Sequence, residues 1–422
     1  MADCCTQPGL LALEDALARI QQQLIPVQQY EFVALPLALD RVLAKPVIAA
    51  INVPSADNSA MDGYALRSAD CSEKNSALQL VGQALAGHPF ISETGAELRS
   101  GEVVRIMTGA IIPTGANAVV MQENTSIKDS QVIIQQSVRV GENIRCTGED
   151  IKQGAQVFTQ GRRMSALDIG LLASLGIAQV SVFRPLRVAI FSTGDELLAN
   201  GAAFEMGKIY DSNRPLLVAL LQRLAVEVKD LGIIPDNMDA LRAAFTQASE
   251  WGDVVISTGG VSVGDADYTK DVLAEMGSID FWKIAMKPGK PFSFGSLGAG
   301  WFFGLPGNPV STAVTYHQLV VPGLRKLAGE IISEQHAPLT LQAAVQQPLK
   351  KQPGRVDFQR AIYTYHAGEQ NGESQVRSAG MQNSGVLTGM SNANCYIYLD
   401  AERGAVAQGE SVKVIPFDRY IS

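Results

Sequence analysis

Leucine and isoleucine recur at three- and four-residue intervals near the start of the chain. Leu10, Leu13, Leu17, Ile20 and Leu24 fall on one face if residues 10–24 are helical, so the spacing predicts an amphipathic helix. A polar, proline-containing stretch follows, and 37–44 reads as another short helix. From about 51 to 144 the period shortens. Apolar runs at 78–81, 103–107, 118–121 and 132–134 alternate with Gly, Pro and Asn turns, which predicts a β-rich module. Residues 166–175 look helical again and rejoin the first segment if the β module is an insertion.

Beyond Pro185 the pattern alternates between strand and helix. Residues 188–192 and 254–257 read as short buried strands, with further strand candidates at 281–286, 291–294 and 301–304. A helix is predicted over 211–227, with Asp211 or Ser212 as N-cap, Pro215 in the first turn and a leucine stripe of Leu216, Leu217, Leu220, Leu221 and Leu224. Helices are also predicted over 239–251, 268–276 and 310–327. Near-continuous apolar strands between helices predict a doubly wound, mostly parallel sheet. A linker is expected at 335–338, followed by short alternating strands such as 396–399 and 411–415. The expected fold is therefore multidomain, α/β plus β. A discontinuous helical or linking domain takes 1–50 and 145–184, an inserted β-rich domain 51–144, the αβ domain 185–330, and a small C-terminal β domain, barrel-like, 335–422.

Composition narrows the function classes. A chain of 422 residues suggests about three domains at roughly 100–200 residues each, one fewer than the pattern gives. Forty-two acidic against 34 basic residues leave a net charge of −8, which argues against a nucleic-acid coat but leaves room for a local basic pocket. The longest apolar candidate, 169–183, is interrupted by Gly170, Ser174, Gly176, Gln179 and Ser181, so no membrane span is expected. Asp3, Glu14 and Asp15 and the lack of a basic leader argue against a secretory signal. The five cysteines form no CxxC pair and the histidines have no zinc-type spacing, so a reducing cytoplasm is the expected setting. The Walker A and GxGxxG patterns are absent.

Ligands of open α/β sheets bind beyond the carboxyl ends of the strands. Three such ends carry polar, glycine-rich turns: 191–197, with Ser192-Thr193-Gly194-Asp195-Glu196; 257–267, with Ser257, Gly259, Gly260, Ser262, Gly264, Asp265 and Asp267; and 304–309, with Pro306-Gly307-Asn308-Pro309 opening onto a helix. Such turns present backbone N–H groups to an anion, and the helix start adds its dipole. Lys283, Lys287 and Lys290 lie within eight residues. They read either as an electropositive wall or as solvated surface lysines, the wall being favoured by the Pro288-Gly289 turn and the strand-like setting of Lys283. Asp195, Glu196, Asp236, Asp265 and Asp267 fall at or near these loops. Beside a phosphate they would repel it unless a divalent cation such as Mg²⁺ intervenes, while Asp265 or Asp267 would equally cap the helix at 268. Outside the sheet, 54–67 and 141–151 concentrate polar residues that would each suit a capped loop, and the strand-like stretch 354–360 places alternating residues on one face, where an isolated arginine such as Arg360 would normally lie at the surface.

Together these segments resemble the molybdenum insertase family, the bacterial MoeA proteins and the E domain of gephyrin. The resemblance runs from about 10 to 417. It is carried by Asp57-Asn58-Ser59-Ala60-Met61-Asp62-Gly63-Tyr64, Ser192-Thr193-Gly194-Asp195-Glu196, Gly260-Val261-Ser262-Val263-Gly264-Asp265, Lys287-Pro288-Gly289-Lys290-Pro291 and Leu305-Pro306-Gly307-Asn308-Pro309, in that order. Three departures stand out. Ala56 replaces a frequent aromatic, Cys146-Thr147 interrupts a stretch that is often more basic, and Asn383 replaces a common glycine.

The resemblance implies a Mg²⁺-assisted enzyme that takes adenylylated molybdopterin and molybdate, inserts molybdenum at the dithiolene sulfurs, and releases AMP. It implies a homodimer whose cleft lies between the αβ domain of one subunit and parts of the other, with transient contacts to molybdopterin-supplying and molybdoenzyme-maturation proteins. By resemblance, Asp62, Thr108 and Asp150 complete the cleft from the partner; Asp62, Glu196, Asp236 and Asp267 are needed for activity, the last three through Mg²⁺ or water; and Ser262 lies in the substrate loop. Lys283 and Lys287 face phosphate or molybdate, and Pro306, Pro309, Arg360 and Ser384 surround the molybdate pocket. Two other readings are weighed: a molybdopterin adenylyltransferase, which the αβ domain alone resembles, and a catalytically silent scaffold of the gephyrin type.

Overall fold

A computed structural model describes residues 10–91, 97–260, 268–332, 338–366 and 373–422. The two outer N-terminal segments share one body. Tyr30–Ala34 pairs antiparallel with Gln179–Phe183, and Val47–Ile48 with Gln156–Phe158. Leu35, Leu43, Phe158, Leu172 and Val182 form a common core beneath them. Its helix, Ala166–Ser174, is fixed by a capping box in which the Ser165 hydroxyl accepts from the Asp168 N–H and the Asp168 carboxylate from the Ser165 N–H. The helix expected at 37–44 does not form. Only a tight turn, Leu35–Ala38, is helical; Asp40 then takes a left-handed backbone, and Val42 and Leu43 bridge to Arg163 and Val182. Tertiary β pairing overrides the short local pattern.

The intervening residues form a six-stranded sheet, in spatial order Ala118–Met121, Gly63–Leu66, Glu102–Ile106, Ser76–Ala84, Gln131–Ile134 and Thr125–Lys128. The first helix, Leu13–Gln23, packs elsewhere. Leu13, Ala16 and Ile20 join the core of the αβ unit with Phe303, Leu324 and Leu327.

The αβ sheet has strands β1 (Arg187–Thr193), β2 (Glu227–Ile234), β3 (Val254–Thr258), β4 (Gly277–Lys283), β5 (Pro291–Leu297) and β6 (Gly300–Leu305). Their order is β2-β1-β3-β6-β5-β4. The first four neighbours run parallel, while β5 is antiparallel to both β6 and β4. Alternation splits β1 between two cores. Val188 and Ile190 face Leu217, Leu221 and Val314, whereas Ala189 and Phe191 face Leu241, Phe245 and Val272. Helices thus cover both faces, as a doubly wound sheet requires.

Two helices differ from the sequence expectation. The one foreseen over 211–227 ends at Leu221, passes through the turn Gln222–Leu224 and stops at Ala225 in a left-handed conformation. The chain then enters β2, an edge strand whose partly exposed residues hid it in the polar pattern. The helix foreseen over 310–327 runs as Pro309–Thr315, a wide π turn Tyr316–Val320, and Val321–Leu327. Pro322 follows the wide turn; it has no N–H to donate, and its ring would crowd the carbonyl of an unbroken α-helix.

The C-terminal unit closes on itself. Val356–His366 pairs with both Glu373–Ser378 and Cys395–Leu399, and the ring is completed through Leu341–Val345 and Ser411–Pro416. A short strand from the αβ unit, Met286–Lys287, joins it in parallel at Val356 and Asp357.

Candidate functional site

Strand β2 lies to one side of β1 and β3 to the other, so the order in which strands are added reverses between the parallel neighbours β1 and β3. Ligands of such sheets bind beyond this point. A cleft of about 370 Å³ lies there, lined at the end of β1 by Thr193, Gly194, Glu196 and Leu197. Thr258, Gly259 and Gly260 line it beyond β3, Pro306, Gly307 and Asn308 beyond β6, and Asp236 beyond β2. Gly259 and Gly260 have positive φ, and a Cβ on Gly259 would collide with the Thr193 carbonyl oxygen. Only glycine lets the two loops close on each other here. The amide of Asn213 donates to the Gly307 carbonyl at 2.7 Å, tying the start of helix Asn213–Leu221 to the third loop. The Asp211 carboxylate caps that helix through the N–H groups of Asn213 and Arg214.

One end of the cleft is acidic. The Asp236 N–H donates to the Asp195 carboxylate at 3.2 Å, and Glu196 lies on the same loop. Burial, then repulsion from Asp195 and Glu196, pushes Asp236 above the usual carboxylate range. Among the described residues no group of three His, Cys, Asp or Glu side chains is gathered to hold a metal. Glu196 and Asp236 together still suit Mg²⁺, which typically takes one or two carboxylates and completes its shell with substrate oxygens and water. Asp267, Asp265, Ser262 and Gly264 lie outside the described residues.

Behind the third loop, and not itself lining the cleft, Arg360 is 1% exposed. Its guanidinium donates to the carbonyls of Met381 at 2.7 Å and Asn383 at 3.1 Å, while its Nε is buried without a partner. Burial lowers the pKa of this group. The next residue, Ser384, accepts a bond from the Val310 N–H through its carbonyl. The structure thus brings Arg360, Ser384 and Pro309 together, at the start of the helix that follows Asn308. A buried cation with a free donor beside a helix N-terminus is suited to an anion.

Other sequence candidates lie elsewhere. Ser257 is fully buried one residue inside β3 and does not line the cleft. Lys283 ends β4, where its carbonyl accepts from the Leu11 N–H. Lys287 contacts Asp357 at 3.4 Å and lines a separate basic pocket at the mouth of the C-terminal barrel. Asp62, Thr108 and Asp150 sit in the N-terminal half, outside the cleft. Asp62 accepts from the Thr108 N–H at 2.7 Å and its hydroxyl at 2.8 Å. These two bonds, with Arg105 nearby, hold its carboxyl below the usual range. Asp57 is gripped in the same way by Thr147, the residue at a point of departure from the family pattern. Sequence reasoning missed the parts played by Thr147 and Asn213. A polar residue just inside a helix start was the available signal for Asn213.

Comparison with known proteins gives a consistent picture. Residues 11–176 match the model of the MoeA N-terminal region (domain I and II), 189–326 a probable molybdopterin binding domain, and 342–417 the MoeA C-terminal region (domain IV). A molybdopterin molybdenumtransferase of Haemophilus influenzae is 45% identical over 98% of this chain and 100% of its own. One from Nostoc is 34% identical over 92% and 89%. Among solved structures, the molybdopterin biosynthesis MoeA protein of Pyrococcus horikoshii superposes with a TM-score of 0.82 at 27% identity, covering 97% of this chain and 100% of that one.

Proposed function

Since the chain belongs to the MoeA family of transferases, we propose that it inserts molybdenum from molybdate into adenylylated molybdopterin and releases AMP. The observation that carries this reading is the polarity of the site. Arg360, buried with a free Nε, stands beside Ser384 and a helix start, while Glu196 and Asp236 crowd one end of the adjoining cleft. The glycine turns at 259–260 and 307 let the backbone approach a phosphate closely. Arg360 and the Ser384 hydroxyl hold and orient the oxyanion. Glu196 and Asp236, with Asp267, would hold Mg²⁺, which when bound neutralises charge on the phosphoanhydride that water cleaves.

The active unit in this reading is a homodimer in the cytoplasm. Asp62 supports it: Thr108 fixes its carboxylate at the surface, a poised acid with no part in its own domain's core. With Thr108 and Asp150 it would complete the partner's cleft. Exposed Tyr30, Phe32, Leu37 and Ile48 on the linking body suit contact with a second copy. No helix among the described residues is long and apolar enough to cross a membrane. Docking with molybdopterin-supplying and molybdoenzyme-maturation proteins would be transient.

The purified protein, given adenylylated molybdopterin, molybdate and Mg²⁺, should release AMP and yield active cofactor, with Arg360→Met slowed by on the order of 10²-fold. ATP-dependent adenylylation of molybdopterin instead would make it an adenylyltransferase. Neither activity, with failure to restore molybdoenzymes in a strain lacking this chain, would leave only the scaffold.

A further inference from the structure

The pocket at the mouth of the C-terminal barrel is separate from the cleft and from Arg360. It measures about 230 Å³ and is lined by Lys287, Lys350, Lys351, Arg355 and Asp357, with Gln352, Pro353 and Gly354 between them. Strand alternation separates it from Arg360. On Val356–His366, Val356 and Phe358 pack into the αβ core, in register with Arg360, while Asp357 and Gln359 point to the other face. The pocket holds four cations against one acid, in a chain whose net charge is −8.

Its groups have distinct parts. Lys351 is 8% exposed, and its ammonium donates to the carbonyls of Gln352 at 3.0 Å, Ala401 at 3.3 Å and Arg403 at 3.0 Å. These bonds use its protons, so it anchors the loop and supplies field. Burial lowers its pKa; Asp357 opposes the shift, and the nearby Lys287 and Arg355 charges add to it. The single acid is already shared, since Asp357 meets Lys287 at 3.4 Å and accepts from the Gln359 amide at 3.2 Å. Among the described residues no carboxylate pairs with Lys350 or Arg355, which face the pocket with their donors uncommitted. Such a concavity focuses field on an anion. Its volume falls below the roughly 300–1,000 Å³ of pockets that enclose a drug-sized ligand, which suits a small anion.

We propose that the barrel mouth is a second anion site, which binds a free tetrahedral oxyanion of the molybdate, sulfate or phosphate type through Lys350, Arg355 and Lys287. The assignment goes beyond the insertion reaction and stands whether or not the cleft performs it. The test is equilibrium dialysis of labelled molybdate against the full-length chain carrying Arg360→Met, which disables the other pocket. Saturable binding is expected, weakened by added salt and displaced by inorganic phosphate. The further change Lys350→Ala/Arg355→Ala should abolish it, while circular dichroism and melting stay as in the parent. A crystal soaked in tungstate should show the heavy atom between Lys350 and Arg355. No saturable binding in the Arg360→Met chain, or binding unchanged by the added Lys350→Ala/Arg355→Ala pair, overturns the proposal. Displacement by AMP at the concentration at which inorganic phosphate acts would point to a phosphate monoester and overturn the free-ion assignment.

Discussion

At the scale of single residues, Asp236 shows how a functional site stores unfavourable charge. Partial burial and its acidic neighbours raise its pKa, so the folded state holds the ionised form at a cost. For an acid whose folded pKa is raised, the stabilising contribution belongs to the protonated form. It is present below the unfolded value near 3.8 and is lost as pH rises through the raised folded value. Asp236→Asn should therefore melt no lower than the parent at neutral pH, while molybdenum insertion falls by on the order of 10²-fold. Paired melting curves and AMP-release assays check both halves, and a clear drop in Tm would contradict the electrostatic account. Arg360 is the converse case, a buried cation whose open Nε awaits an anion. Asp236 was legible in the sequence as an acid near the glycine-rich loops, whereas Arg360 was identifiable only through family resemblance. By residue type alone, Arg360 read as a surface arginine, and only the packing of 381–383 around it explains its burial.

At the scale of elements, the three loops work because their glycines are not equivalent. Gly259 has φ +80°, and a side chain there would meet the Thr193 carbonyl. At Gly307 an added methyl would make only an ordinary contact with the Gly259 Cα, at 3.8 Å. Gly259→Ala should cost about 2 kcal/mol from the left-handed backbone alone, with a further penalty from the collision, whereas Gly307→Ala should leave stability within about 0.5 kcal/mol. Urea denaturation of the two variants measures the difference, and equal losses would refute it. The loops themselves were legible in the sequence as Gly-rich turns after apolar strands. The edge strand β2 was not, because exposed Glu227 and Asp230 interrupt it, and its apolar positions continue the leucine stripe of the preceding helix. The short helix expected at 37–44 failed for a related reason: neighbours distant in sequence, Arg163 and Val182, claimed its backbone.

At the scale of the whole molecule, Glu330 links two bodies. Its carboxylate accepts from Arg163 of the linking body at 2.8 Å and from Arg325 of the αβ unit at 3.0 Å, with a side chain 4% exposed. Burial alone would raise its pKa, but the two guanidinium groups overcome that and hold it below the usual range. Stability from a depressed acid is present above the unfolded value, near 4.5, and is lost as pH falls through the lower folded value. Glu330→Gln leaves two buried cations short of their counter-ion and should cost about 3–5 kcal/mol. The acid limb of the stability profile below pH about 4.5 should also flatten. Melting across pH 3 to 7, roughly the span over which paired carboxylates titrate, tests this; an acid limb identical to that of the parent would refute the assignment.

The sequence by itself determined the parts that depend on local period and local chemistry: the doubly wound unit, the alternating strands ahead of it, the glycine turns, and the acids beside them. Alternation of apolar residues and the backbone freedom of glycine are properties of neighbours along the chain, so they can be read without coordinates. Tertiary structure alone decided which charges meet. It sent Lys287 to the barrel mouth beside Asp357 and buried Arg360 on the opposite face of the same strand. It also gathered Arg163, Arg325 and Glu330 from positions far apart in the chain. Ion pairing and desolvation depend on distance through space, which residue type and spacing do not fix.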